Sequence, residues 1–271
     1  MNWLLEPLAY EFMQHGLLAS VIVGVLCAVM GTYVVLRGMA FLGDAMAHAI
    51  LPGVAIAYIF KGDLLIGAGI AAVAVALIIG LFTKDGAVKE DTAIGILFAA
   101  ALSLGVALIS TTQTYTVDLS HILFGNVLGV SVSDLWLIGS LSFAILLTVA
   151  LLFKPFLVIS FDPVLAATLR LPVELLRNLM LVLLALTVVV SLQTAGVSLA
   201  AAMLVTPAAT AYLLTRRLLP MMFVSALIGA LSSVVGLYLS YYFNIVSGSA
   251  IVLTATAIFL LGFLWKRIKS V

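Results

Sequence analysis

Charge is what this sequence has least of. Its 271 residues include 12 Lys/Arg and 11 Asp/Glu, 8% in all, where soluble domains carry about 25%. With 65% hydrophobic residues and a mean hydropathy of +1.35, that scarcity excludes a soluble globular domain and predicts a polytopic membrane protein. The net charge of +1 provides no basic field to attract nucleic acid. A single cysteine, Cys27, lies within an apolar run. It excludes an intrachain disulfide and a thiolate metal cluster, and reads as a small buried hydrophobe. No Gly-Lys pair occurs anywhere, so there is no G-x-x-x-x-G-K-[ST] phosphate loop. The H-E-x-x-H zinc helix and the G-x-S-x-G nucleophile elbow are also missing. Any ATP hydrolysis that drives this chain therefore belongs to another polypeptide, and the chain itself is not expected to be an enzyme. The opening MNWLLEPLAYEFMQHG lacks a basic n-region and carries Glu6 and Glu11, unlike a cleaved signal peptide. No stretch between the apolar runs reaches the roughly 50 residues of a soluble domain. A single transmembrane unit over residues 1–271 is expected.

What is present is a series of apolar runs. A crossing needs about 20 mainly apolar residues. That length fits segments near 17–36, 41–60, 64–83, 92–110, 134–153, 178–196, 199–215, 220–243 and 249–265. Segment 41–60 carries polar residues and Pro52. Segment 199–215 is short, contains Pro207 and follows a tight link at Gly196, so it is open to being a broken or re-entrant helix. An all-α bundle of eight or nine transmembrane helices follows. Basic residues orient it, since Lys and Arg gather on the cytoplasmic side. With nine crossings and the N-terminus outside, Arg37, Lys84, Lys89, Lys154, Arg170, Arg177, Arg216, Arg217, Lys266, Arg267 and Lys269 all face inward, leaving Lys61 outside. The C-terminus is then cytoplasmic.

Two connecting segments stand out. TTQTYTVDLSHILFGNVLGVSVSD (111–134) has no Lys or Arg and is expected outside, with HILFGNVLGV apolar enough to lie on the membrane or tuck into the bundle. KPFLVISFDPVLAATLRLPVELLRN follows Phe153 and is broken by Pro155, Pro163 and Pro172. Asp162 before Pro163 is a good N-cap followed by a proline at the first helical position. The short amphipathic stretch behind it suits either docking of a cytoplasmic partner or an ordinary interfacial helix. Gly24 and Gly31, and the small residues of 196–211, indicate close helix packing.

Ionisable residues within apolar segments cost several kcal/mol unless they line a path or find a partner. Asp44 and His48, in RGMAFLGDAMAHAILP, lie on one face of a helix at this spacing. A carboxylate and an imidazole suit Mn²⁺, Fe²⁺ or Zn²⁺ better than soft Cu(I). Two ligands do not close a site, but a two-fold dimer would bring an equivalent pair across its axis, giving Asp₂His₂. The alternative is a helix-end pair in which Asp44 partners Arg37 or caps the helix. His15 and His121 each stand alone and read as interfacial. Thr206, Pro207 and Thr210 interrupt an apolar helix and could line a pore, although packing is the commoner cause of such breaks. Gly125 and Asn126 could form a turn at an outer gate.

GTYVVLRGMAFLGDAMAHAILPGVAIAY resembles the hallmark segment of the ABC-3 family, the permease subunits of bacterial ABC importers for manganese, zinc or iron. DLSHILFGNVLGVS is similar to that family's Leu-Phe-Gly-x-x-Leu motif, and FDPVLAATLRLPV to its ATPase-contacting segment. AAMLVTPAATAYLLTRRL and SGSAIVL resemble two later motifs, although NIVSGSAIVL lacks a proline expected before Ser-Gly. The resemblance implies a type II permease fold like that of the vitamin B12 and siderophore importers, in a bacterial plasma membrane. It implies a homodimer, two cytoplasmic ATPase subunits and an extracytoplasmic metal-binding protein. It puts the metal ligands on Asp44 and His48, with the metal as substrate and no resident cofactor. ATPase coupling falls on 162–177, through Asp162, Pro163, Ala166, Leu169, Arg170, Leu171 and Pro172. Manganese is the first expectation, with zinc or iron as alternatives. From a different class come a proton-driven secondary transporter using the same pair as a relay, and an intramembrane metallohydrolase. The latter lacks a third ligand and a separate base.

Overall fold

The computed structural model describes residues 6–84, 86, 88–111 and 127–269. They form α-helices joined by short turns: α1 (Glu11–Leu36), α2 (Leu42–Ala49), α3 (Leu51–Ile59), α4 (Leu64–Phe82), α5 (Glu90–Ser110), α6 (Val132–Leu151), α7 (Phe153–Phe161), α8 (Pro163–Thr168), α9 (Val173–Leu214), α10 (Leu218–Phe243) and α11 (Ser247–Lys269). Eight helical segments among the described residues are long and apolar enough to cross a membrane, with α2 and α3 acting together as one of them. Residues 199–214 form a shorter apolar helix.

Burial sorts the helices into layers. The apolar windows of α1 and of Val173–Leu192 in α9 are each 67% buried, against 17% to 28% for α4, α5, α6 and α11. The first two are central and the other four form the outer wall. Leu, Ile and Phe side chains such as Leu81, Phe143 and Leu261 point outward from that wall, as lipid-facing surfaces require. Small residues bring the central helices together. A Cβ on Gly31 would overlap the Leu204 carbonyl oxygen, and Gly24 lies against Gly229. Beside them the Ser233 hydroxyl donates to the Ser20 carbonyl at 2.9 Å, and Ser225 to that of Ala28 at 2.8 Å. Helix-to-helix hydrogen bonds of this kind hold apolar bundles where lipid removes the hydrophobic drive.

Both of the unusual segments are broken helices. Within 41–60 the chain turns at Ile50, between α2 and α3. Pro52 has no N–H to give the His48 carbonyl, and that carbonyl accepts from the Ile50 N–H instead. In α9 the break is at Gly196, whose φ of 70° and ψ of 175° interrupt an otherwise helical run. That φ is open to glycine at little cost.

The segment expected to couple to an ATPase, 162–177, is a six-residue helix, a turn and then the start of α9. Asp162 caps α8 as expected, its carboxylate accepting from the Val164 and Leu165 N–H groups at 3.0 and 2.9 Å. Ala166 is fully buried and seats the helix. Val164, Leu165 and Leu169 remain exposed. Arg170 adopts a left-handed φ of 56°, which turns the chain through Leu171 and Pro172 into α9. In the segment 111–134, residues 112–126 lie outside the described residues. Its end tucks in: Val127 is buried, and its carbonyl abuts Gly16.

Candidate metal site

The site rests on α2, eight residues reading LGDAMAHA. Five of its positions are Gly, Ala or Met on the inward side, so the helix can lie deep against its neighbours. Gly43 packs on Ala201 and Leu204, and Leu204 is the residue that Gly31 also meets. The start of α2 therefore packs against the same residue of α9 as Gly31, which lies five residues before the end of α1. The chain reaches that depth by turning sharply after α1, with the buried Met39 donating its N–H to the Val34 carbonyl at 2.9 Å.

Asp44 and His48 project from the less buried face of α2. Their side chains are 45% and 26% exposed, and Asp44 Oδ1 lies 3.8 Å from His48 Nε2. That separation is too long for a hydrogen bond. Both atoms therefore keep lone pairs for a third atom placed between or beyond them. His48 Nδ1 is buried with no protein partner. The imidazole is oriented by ring packing: Phe98 of α5 meets it edge-on at 5.7 Å, and meets Phe41 in the same way at 5.6 Å. Phe98 is the contributor that sequence reasoning missed. One Phe among 14 on an apolar helix carries no local signal of a ring contact.

The two bland readings of Asp44 fail on geometry. Arg37 does not pair with it: its Nη2 donates to Glu90 Oε1 at 2.6 Å, with the two side chains 12% and 21% exposed. Nor does Asp44 cap α2, where Phe41 holds the cap position and no side chain bonds the free N–H groups. Among the described residues no three His, Cys, Asp or Glu side chains converge as a metal site. Within one chain the described residues thus offer two candidate ligands, Asp44 and His48.

The remaining candidates fall elsewhere. His15 lies at the other end of α1 from α2, and His121, Gly125 and Asn126 are outside the described residues. Thr210 is buried, its hydroxyl donating at 2.8 Å to the Thr206 carbonyl on its own helix. Its hydroxyl is thus satisfied within the helix that carries Pro207.

A second polar cluster lies where the ends of α1 and α4 meet the starts of α5 and α9. There Arg177 donates from Nη1 to the Thr83 carbonyl and from Nη2 to that of Gly80, both at 3.1 Å. It thereby caps α4. Lys84 and Glu174 pair at 3.1 Å beside it. Burial lowers the pKa of the Arg37 guanidinium, the adjacent Glu90 raises it again, and Arg177 lowers it. Arg nevertheless stays charged.

Comparison with known proteins agrees with this architecture. The family model described as the ABC 3 transport family matches residues 9–266. The manganese transport system membrane protein MntC of Halalkalibacterium halodurans is 46% identical over 266 residues, covering 98% of this chain and 91% of the relative. The chelated iron transport system membrane protein YfeD of Yersinia pestis is 38% identical over 270 residues, covering 98% and 89%. Among solved structures, PsaBC from Streptococcus pneumoniae in complex with Fab superposes with a TM-score of 0.84 at 42% identity, covering 97% of this chain and 94% of that one. With the helix order and a family match over nearly its whole length, this chain belongs to the ABC 3 transport family.

Proposed function

We propose that this chain is the membrane permease subunit of an ATP-driven importer of divalent transition metal ions, with manganese as its principal substrate. The reading is carried by the half-exposed Asp44–His48 pair, 3.8 Å apart on one helical face. Two such pairs facing each other across the axis of a homodimer would supply two carboxylates and two imidazoles. That set suits a borderline divalent ion and leaves it loosely enough held to move on, as conduction requires. Manganese is favoured over iron because identity to the manganese relative, 46%, exceeds that to the chelated-iron relative, 38%. The chemistry of the ligands admits zinc as well.

Two ATPase subunits dock on the cytoplasmic side, at the exposed Val164, Leu165 and Leu169 of α8. An extracytoplasmic metal-binding protein delivers the ion to the opposite face. With residues 199–214 as a ninth crossing, the N-terminus is outside and the C-terminus inside, because the ends carrying Arg37, Lys84, Arg177 and Arg217 are then all cytoplasmic. Nucleotide-driven closure of the ATPases would move α8 and, through the start of α9, the helices that flank α2.

The test is manganese uptake by cells carrying Asp44→Ala or His48→Ala, each with normal membrane assembly. Uptake is expected to fall to background in both, and wild-type uptake from both would overturn the proposal. A proton-driven transporter is distinguished by reconstituting the chain without ATPase under a pH gradient, where no transport is expected.

A further inference from the structure

The polar cluster at the basic end of the bundle surrounds a cavity of about 120 Å³ lined by Arg37, Glu90, Ile159, Pro163, Val173 and Arg177. Both arginines are bonded on one side only. Arg37 gives Nη2 to Glu90, while its Nη1 is buried and meets no protein acceptor. Arg177 gives both terminal nitrogens to α4, while its Nε is likewise buried without an acceptor. A buried N–H left unpaired costs about 1–3 kcal/mol, more when the group is charged.

The charge count is also unbalanced. Two guanidinium groups face one carboxylate, which leaves +1 at the cavity wall. Neighbouring charges do not correct this: Lys84 and Glu174 neutralise each other, and Asp162 is committed to the N–H groups of α8. Two long helices, α5 and α9, also begin at this wall, with Glu90 and Val173 as their first residues. Neither has a side-chain cap, since Lys89 and Pro172 hold the cap positions without bonding the free N–H groups. Their positive dipole ends add to the same field.

We propose that this cavity is a binding site for one small monovalent inorganic anion, of which chloride is the physiological example, held by the free N–H groups of Arg37 and Arg177. A single negative charge balances the +1. A dianion would overshoot it, and the volume leaves no space for a bulky organic acid. Once bound, the anion joins the end of α1, just before the site helix α2, to the turn that begins α8 and α9.

The test uses the full chain in lipid nanodiscs, with thermal unfolding followed while chloride replaces gluconate at constant ionic strength. Wild type is expected to gain stability saturably with chloride. Arg177→Gln removes a donor and a charge, and should raise the half-saturating chloride about tenfold or abolish the response. Glu90→Gln removes the competing carboxylate, and should lower it about tenfold. The opposite sign of these two variants separates a site from general salt effects, and Glu90→Gln alone decides the matter if Arg177→Gln does not fold. Bromide exchanged for chloride should give an anomalous peak between the two arginines. A chloride response that is absent in wild type, or unchanged by Glu90→Gln, overturns the proposal, as does a cavity that holds only water in bromide.

Discussion

Two polar clusters share this apolar bundle, and they are built in opposite ways. Arg37 and Glu90 meet at 2.6 Å with their side chains 12% and 21% exposed. Asp44 and His48 stand 3.8 Å apart and are 45% and 26% exposed. The first cluster ties together helix ends that are distant in sequence and is satisfied mainly by the protein. The second sits on a single helix and leaves its lone pairs unused. A bonded, buried ion pair resists removal of either partner, whereas an open pair of ligands contributes little to folding. The contrast separates a group that holds the bundle from one left open, to which the proposed function assigns the metal.

The comparison is sharpened most strongly by measuring uptake and stability on the same variants. Asp44→Ala and His48→Ala should both abolish manganese uptake, while the unfolding free energy moves by less than about 0.5 kcal/mol for Asp44→Ala and by about 1 kcal/mol for His48→Ala, which loses the ring contact with Phe98. If either instead unfolds the protein, the distinction between the clusters fails. Arg37→Ala should act in reverse, costing about 3 kcal/mol by stranding Glu90 in a buried position. Its measure is denaturation in detergent, and restoration by the double variant Arg37→Ala/Glu90→Gln would identify the unpaired carboxylate as the cause.

Phe98→Ala lies between the two. The loss of an edge contact on His48 costs about 1 kcal/mol, so half-saturating manganese for uptake should rise about fivefold. Phe98→Tyr should retain wild-type uptake, because the ring edge is preserved. The smallest effect expected is at α8. Asp162→Ala removes the cap and should cost about 1 kcal/mol, while Asp162→Asn should cost little. Hydrogen exchange at the Val164 and Leu165 amides reports both.

Much of this was legible along the chain. Each apolar run near 20 residues became a helix because hydropathy is a sum over neighbours and needs no knowledge of the fold. The Asp162–Pro163 cap and the same-face placement of Asp44 with His48 were readable for a similar reason, since caps and four-residue spacings are local geometry. Gly196 and Pro52 marked the two breaks through their own backbone limits. The short amphipathic stretch between Pro163 and Pro172 was also readable, and it forms α8. The left-handed Arg170 and Pro172 then separate it from α9.

The partner of Arg37 was not legible. Asp44 is near in sequence, but Glu90 lies 53 residues away, and hydropathy says nothing about which helices are neighbours or how each is rotated. Phe98 became part of the site by the same route, through the packing of α5 on α2. The amino-acid sequence alone determined that the chain crosses a membrane many times and carries one carboxylate–imidazole pair within an apolar segment. Only the tertiary structure decided that this pair is free of Arg37, aligned by a ring from another helix and carried on a helix packed against α9. The physical reason is range: backbone and hydropathy preferences act within a few residues, while the choice of partner depends on which distant surfaces close packing brings together.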